Sequence, residues 1–386
     1  MRLARRIESM PPYIFAQATA RITELERKGV DVINLGVGSP DLPPPKPIID
    51  MLYESSLEPD AHGYAGYYGI PPFRQAVAKY YDRRFGVSLD ANREVLLLIG
   101  SKEGIANINI AYVDPGDIVL VPDPGYPTYI SGAHLASGEV FSVPLLAENN
   151  YRVDLDAIPT DVAKRAKLLW LNYPNNPTGA VADLDYLARC VAFAREHDIL
   201  LCYDNPYCDV TFDGYVAPSI LPIPGAREVA IEFNSLSKTY NMAGWRVGMA
   251  VGGAQIISAL ARVKTNMDSG IFRPMQLAAA YALTGDQQWL ESRNGIYQRR
   301  RDLVLGLLPA ASLSAETPKG GLYVWARVPE GVSSAAYGQR ALDESGVWVT
   351  PGTAFGDHGE GYVRISVTTP DDRLREAMER LAKLGW

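Results

Sequence analysis

Seven short runs of apolar residues punctuate the middle of the chain, each closed by a polar or glycine-bearing turn. They occupy residues 94–100 (EVLLLIG), 118–123 (IVLVPD), 139–145 (EVFSVPL), 166–172 (AKLLWLN), 199–204 (ILLCYD), 229–235 (VAIEFNS) and 245–252 (WRVGMAVG). Runs that stay apolar instead of alternating predict strands covered on both faces, as in a mostly parallel sheet between helices. The stretches between them include 184–197 (LDYLARCVAFAREH), whose apolar positions recur at helical spacing. After Gly253 the pattern changes. It is helical to about Leu308 with a break at 266–274 (NMDSGIFRP). β-type runs follow at 321–328 (GLYVWARV), 347–352 (VWVTPG) and 362–368 (YVRISVT), then a last helix from about Asp372. The expectation is an α/β chain with a large domain at 50–285, built on a mostly parallel seven-stranded sheet between helices. Residues 1–49 and 286–386 then form a smaller α+β domain.

Composition narrows the function classes. The 386 residues are 47% hydrophobic and 21% charged, ordinary globular usage and enough for two domains. A net charge of −7, with no long Lys or Arg run, argues against a surface that tracks nucleic-acid phosphates. No apolar run approaches membrane-spanning length, and the start (MRLARRIESMPPYIF) lacks the apolar stretch of a signal peptide. Cys190, Cys202 and Cys208 show no metal-ligand spacing and read as buried thiols in a reducing cytoplasm. No metal, nucleic acid or membrane is expected.

Polar clusters at strand ends carry the candidate chemistry, because ligands of open α/β sheets sit on the loops beyond the carboxyl ends of strands. After the first run, Gly-Ser opens a helix, so Ser101 and the amide of Lys102 can hold an anion; a plain N-cap at Ser101 is the competing reading. Asp204 ends the fifth run, where a buried carboxylate needs a cation or donors; a structural salt bridge competes. Asn176 (NYPNNPTG) comes beside Asp204 if their strands are neighbours. The segment 235–248 (SLSKTYNMAGWRVG) sets Lys238 among Ser235, Ser237 and Arg246, hydroxyls and a planar fork suited to phosphate. An imine-forming Lys, a phosphate cradle, a strand-end carboxylate and a Tyr/Asn pair together describe pyridoxal 5′-phosphate.

Those motifs, with "NLGVGSPD", "YAGYYGIPPFR", "PDPGYPTY" and "YDNPY", resemble the class I/II pyridoxal-phosphate-dependent aminotransferases of fold type I over essentially the whole chain. The resemblance implies catalytic roles for Lys238, Asp204 and Tyr207. Lys238 is the Schiff-base lysine and Asp204 the partner of the ring nitrogen. Tyr207 and Asn176 bond the 3′-oxygen, and Tyr126 stacks on the ring. Ser101, the Lys102 backbone, Ser235, Ser237 and Arg246 hold the phosphate, which Tyr64 reaches from the neighbouring subunit of a homodimer with shared sites. Arg364 grips the substrate α-carboxylate, helped by the Gly38 amide and Asn176. The implied reaction is ping-pong transfer of an amino group between an L-amino acid and a 2-oxo acid.

Within that family the motifs look most like the LL-diaminopimelate aminotransferase branch of lysine biosynthesis. One departure is the loop 64–69 (YAGYYG), which has no acid where plant-type enzymes use a Glu for the distal amine. Aspartate, alanine or aromatic substrates are the alternatives, and a C–S β-lyase of the same fold is a further one. Arg273 is either a second carboxylate clamp or a helix-start residue. Tyr13, Ile14 and Phe15 either cover the substrate or pack as core. Glu103 reads as an exposed charge at a helix start.

Overall fold

Alternate side chains of the central apolar runs enter two different cores, which is why those runs stay largely apolar. Leu97, Leu169 and Leu201 join one cluster with Phe73 and Tyr80; Leu96, Leu98, Leu168 and Cys202 join the opposite one with Trp170 and Phe233. Both faces of the sheet are thereby dry at its centre. Truncating one such leucine to alanine costs about 2–5 kcal/mol.

The computed structural model describes residues 2–8, 10 and 14–386, without the side chains of Arg5, Ile14, Phe15 and Gln17. The expectation that Tyr13, Ile14 and Phe15 cover a substrate lies outside the described residues. All seven runs form strands of one sheet: β1 (Val95–Leu98), β2 (Ile118–Asp123), β3 (Glu139–Pro144), β4 (Ala166–Asn172), β5 (Leu200–Asp204), β6 (Ala230–Ser235) and β7 (Gly248–Gly252). Their spatial order is β1-β7-β6-β5-β4-β2-β3, with β7 antiparallel to both neighbours and the remaining pairs parallel. β7 begins three residues later than its sequence run. Ala243–Trp245 make a 3₁₀ turn, and Arg246 takes a left-handed conformation (φ 56°) before the strand can start. Parallel register sets Asn172 beside Asp204 and Asp204 beside Phe233, so the polar ends of β4, β5 and β6 share one edge.

Four helices are built around the sheet: α1 (Pro71–Phe85) and α3 (Leu184–His197) enter the first core, whereas α2 (Ser101–Tyr112) and α4 (Leu236–Thr239) begin just beyond strand ends. α5 (Ala254–Met267) packs on α2, and α6 (Arg273–Thr284) packs on α1. Between α2 and α5 lies Lys264, whose side chain is fully buried, 2.7 Å from Asp268 and 3.3 Å from Glu103. Glu103 is therefore not the exposed charge read from sequence. An ammonium buried between two helices needs carboxylates, and Glu103 is one of them. The same carboxylate accepts from the Ile99 amide at 2.7 Å and so fixes the turn that leads into Ser101.

A third core gathers the C-terminal third. α7 (Gln288–Leu307) and α8 (Asp371–Ala382) pack together against an antiparallel sheet of β8 (Tyr323–Arg327), β9 (Thr350–Pro351) and β10 (Tyr362–Ser366), ordered β9-β10-β8. The single run expected at 347–352 serves two sheets. Thr350–Pro351 pair with β10, whereas Val347–Trp348 pair in parallel with Ile33–Asn34 and tie the N-terminal segment to this core.

Candidate active site

A cavity of about 310 Å³ opens where the ends of β4, β5 and β6 face the C-terminal core. Gly38, Ser101, Lys102, Tyr126, Asn176, Asp204, Tyr207, Ser235, Ser237, Lys238, Arg246 and Arg364 all line it. Tyr64 does not; in this chain it is 93% exposed to solvent.

Lys238 sits on α4, a four-residue helix capped by the Ser235 hydroxyl, which accepts from the Ser237 amide at 3.2 Å. From below, the buried Arg293 guanidinium donates to the Lys238 carbonyl and, at 2.8 Å, to the Asp209 carbonyl, so the lysine backbone is pinned. Nζ reaches across the cavity and donates to the Gly38 carbonyl at 2.5 Å. Burial lowers its pKa, and the positive fields of Arg364 and Arg246 lower it further, against an opposing pull from Tyr323. The result is an amine that gives up its proton more readily than a surface lysine.

Asp204 is the opposite case. Burial pushes its carboxyl up to about 7, and only the hydrogen bond from Tyr129 works against that. The Tyr129 hydroxyl donates to Oδ2 at 2.7 Å, and its ring is stacked on Trp170 with centroids 4.6 Å apart. Oδ1 is buried and has no hydrogen-bond partner among the described residues. Neighbouring Asn172 donates to the Asp204 carbonyl at 2.7 Å and accepts from the Asn176 amide at 2.7 Å, which brings Asn176 into the cavity.

The anion cradle depends on two glycines. A Cβ at Gly100 (φ 69°) would collide with the Arg246 guanidinium, and one at Gly248 would lie 2.6 Å from the Ser101 amide nitrogen. The helix cap is Gly100, with no side-chain cap, so the Ser101 hydroxyl is not used as an N-cap and faces the cavity. α2 thus points its first turn of amides at the site.

On the far wall, Arg364 is 2% exposed. It donates to Asn176 Oδ1 at 2.6 Å and to the Gly36 carbonyl, and its guanidinium lies 4.0 Å from the Tyr323 ring centre and 4.6 Å from that of Phe355. The fork is thereby held flat, the geometry that bidentate carboxylate binding needs. The Tyr207 and Tyr323 hydroxyls are 3.2 Å apart, and a side chain at Gly38 would collide with the Tyr323 phenol. Arg273 lies elsewhere, ion-paired with Asp60 at 2.7 Å and Glu58 at 3.2 Å.

Sequence reasoning missed Tyr129, Asn172, Arg293 and Tyr323. For Tyr129 a signal existed in the doubled tyrosine of PDPGYPTY; Tyr323 and Arg293 sit in patterns that read as core. No group of three or more His, Cys, Asp or Glu able to hold a metal occurs among the described residues, and the three cysteines are buried free thiols.

A desolvated amine, an amide-and-hydroxyl anion cradle, and a buried carboxylate with one unsatisfied oxygen fit the aldehyde, phosphate and protonated ring nitrogen of one cofactor. Fold and cavity together define a pyridoxal-phosphate enzyme of fold type I. Comparison with known proteins narrows the class: the model of the family "Aminotransferase class I and II" matches residues 30–381, and the chain belongs to that family. It is 52% identical over 384 residues to the LL-diaminopimelate aminotransferase of Moorella thermoacetica, covering 100% of this chain and 98% of the relative. Among solved structures it is similar to apo-BacF from Bacillus subtilis, at 40% identity and TM-score 0.96, covering 100% of this chain and 99% of the other. A mutant aspartate aminotransferase of Thermus thermophilus matches at 33% identity and TM-score 0.92 over the full length of both chains. The protein is an aminotransferase that uses pyridoxal phosphate. No helix of the described residues is long and apolar enough to cross a membrane.

Proposed function

We propose that the enzyme moves an amino group between LL-diaminopimelate, or its cyclic oxo form, and the glutamate/2-oxoglutarate pair. The observation that carries this reading is the 52% identity, over essentially the full length, to a relative of that name.

Bound in the cavity, pyridoxal phosphate supplies an electron-accepting ring for the negative charge that develops at the substrate Cα. The side chains divide the remaining work. Asp204, with Tyr129 holding Oδ2, would accept the protonated ring nitrogen of that group. Tyr207 and Asn176 would donate to its 3′-oxygen, and Tyr126 would cover its ring. Ser101, Ser235, Ser237, Arg246 and the Lys102 amide would bind its phosphate. Arg364, with Asn176 and the Gly38 amide, fixes the α-carboxylate and so aims the Cα–H bond. Lys238, with its proton affinity lowered by burial, then takes the Cα proton as general base. Tyr64 is contributed by a partner subunit, which accounts for its full exposure here. This reading includes a cytoplasmic homodimer divided into domains at 50–285 and at 1–49 with 286–386.

The loop 64–69 brings no carboxylate, and Arg273 is already paired with Glu58 and Asp60. A distal ammonium of the substrate would therefore find no carboxylate in that loop. A half-reaction screen of the purified enzyme against LL-diaminopimelate, aspartate, alanine, glutamate and aromatic amino acids tests the proposal. LL-diaminopimelate and glutamate should bleach the bound cofactor fastest; a faster reaction with aspartate or alanine refutes the substrate assignment while leaving the aminotransferase class intact.

A further inference from the structure

The sheet face that carries Arg364 does not end at the active site. Register pairs Arg364 with Trp325, and Tyr362 with Arg327, on β10 and β8. Residues two apart share a face, so Tyr323, Trp325 and Arg327 form one row that leaves the cofactor cavity and runs outward. At its outer end is a second cavity of about 210 Å³, lined by Tyr151, Thr178, Glu316, Trp325, Arg327 and Tyr362 among others. That volume suits a metabolite smaller than the ligands of ordinary pockets.

Its lining has an apolar floor and a charged rim. The Trp325 indole is 4% exposed and stacked on Tyr362, with centroids 5.1 Å apart, yet its Nε1–H is buried with no partner among the described residues. A buried donor left unpaired costs stability unless something accepts from it. Two residues along the same strand, exposed Arg327 donates to the Tyr362 hydroxyl at 2.6 Å and rests over that ring at 4.9 Å. Glu316, also at the rim, forms no hydrogen bond or ion pair among the described residues. Two donors on one strand face and a carboxylate in the same lining present both signs of charge to one small space.

We propose that this cavity is a second binding site for an α-amino-acid zwitterion, whose carboxylate bridges Trp325 Nε1 and Arg327 while its ammonium meets Glu316. Occupancy bears on the active site by two short routes. Trp325 packs edge-on against Phe355 (6.1 Å), which lies under the Arg364 guanidinium. Thr178 donates to Asn175 Oδ1 at 2.8 Å, one residue from the Asn176 that holds Arg364. The ligand therefore acts on the carboxylate clamp and changes KM for the amino donor more than kcat.

L-Proline is a suitable probe, since its secondary amine cannot be transaminated. In steady-state kinetics of the holoenzyme it should change the KM for the donor by a factor that saturates. Glu316→Gln and Arg327→Gln should keep the basal rate and shift that saturation about tenfold or more to higher concentration, as expected for a lost charge-assisted hydrogen bond. Trp325→Phe keeps the ring and loses the donor, so it should weaken the effect too. Equilibrium dialysis with labelled L-proline and L-lysine gives the independent count. Binding that survives Arg364→Ala and is lost with Arg327→Gln supports the site. Purely competitive inhibition that is unchanged in Glu316→Gln and Arg327→Gln, or no binding outside the Arg364 clamp, overturns it. Because these readouts do not depend on which donor is physiological, their failure is distinct from failure of the diaminopimelate assignment.

Discussion

Asp204 has a carboxyl whose pKa burial raises to about 7, with a donor for one oxygen and, among the described residues, none for the other. Its folded pKa lies above the ordinary aspartate value, so the protein without cofactor favours the protonated form. The stability from this group is present below about pH 4 and lost as pH rises through about 7, an effect of order a few kcal/mol. A cationic ring nitrogen at Oδ1 reverses the sign by favouring the carboxylate. Cofactor-stripped protein should therefore lose stability between pH 4 and 7 relative to stripped Asp204→Asn, and cofactor-loaded protein should not. Denaturation at a series of pH values checks this; parallel curves for stripped wild type and stripped Asp204→Asn contradict it. Asp204 was legible in the sequence because a carboxylate closing an apolar strand is chemically conspicuous. Tyr129 was less conspicuous: the doubled tyrosine of PDPGYPTY marked it, but a tyrosine stacked on Trp170 reads in the sequence as one more aromatic in an apolar helix. Tyr323 was hidden for the same reason: its hydroxyl matters only once Gly38 and Arg364 are brought against it from distant segments.

At the level of elements, apolar runs read directly as strands because the apolar side chains of β4 and β5 have a core to enter on whichever face they point. The sheet edge then assembled the site, since parallel register alone sets Asn172, Asp204 and Ser235 at neighbouring strand ends. Starts and breaks were harder to read. β7 is delayed by the left-handed Arg246, a conformation whose benefit is to lay the guanidinium over Gly100. Residues 347–352 split between two sheets because the N-terminal segment competes for one half, a pairing across more than 300 residues that no local pattern encodes. Glu103 was misread because a helix-start glutamate is usually solvated, and only the buried Lys264 on α5 draws it inward.

The whole molecule leaves large apolar groups in solvent. Tyr53, Leu57, Tyr64 and Met267 are between 64% and 93% exposed. With Tyr64 assigned to a partner's site, activity per subunit should fall on dilution in step with dissociation followed by sedimentation. Full activity in a solution shown to be monomeric would remove the shared site. A subunit surface of that kind would not be legible in the sequence, because tyrosines and leucines at helical spacing look the same whether a core or a second subunit covers them.

The claim on which the rest depends is that the Lys238 amine, and no other, carries the cofactor. Borohydride reduction of the yellow holoenzyme, followed by proteolysis and mass spectrometry, reads this directly. The account predicts one pyridoxyl-modified lysine per chain, at position 238. Modification at Lys102 or any other lysine, or none at all, contradicts it.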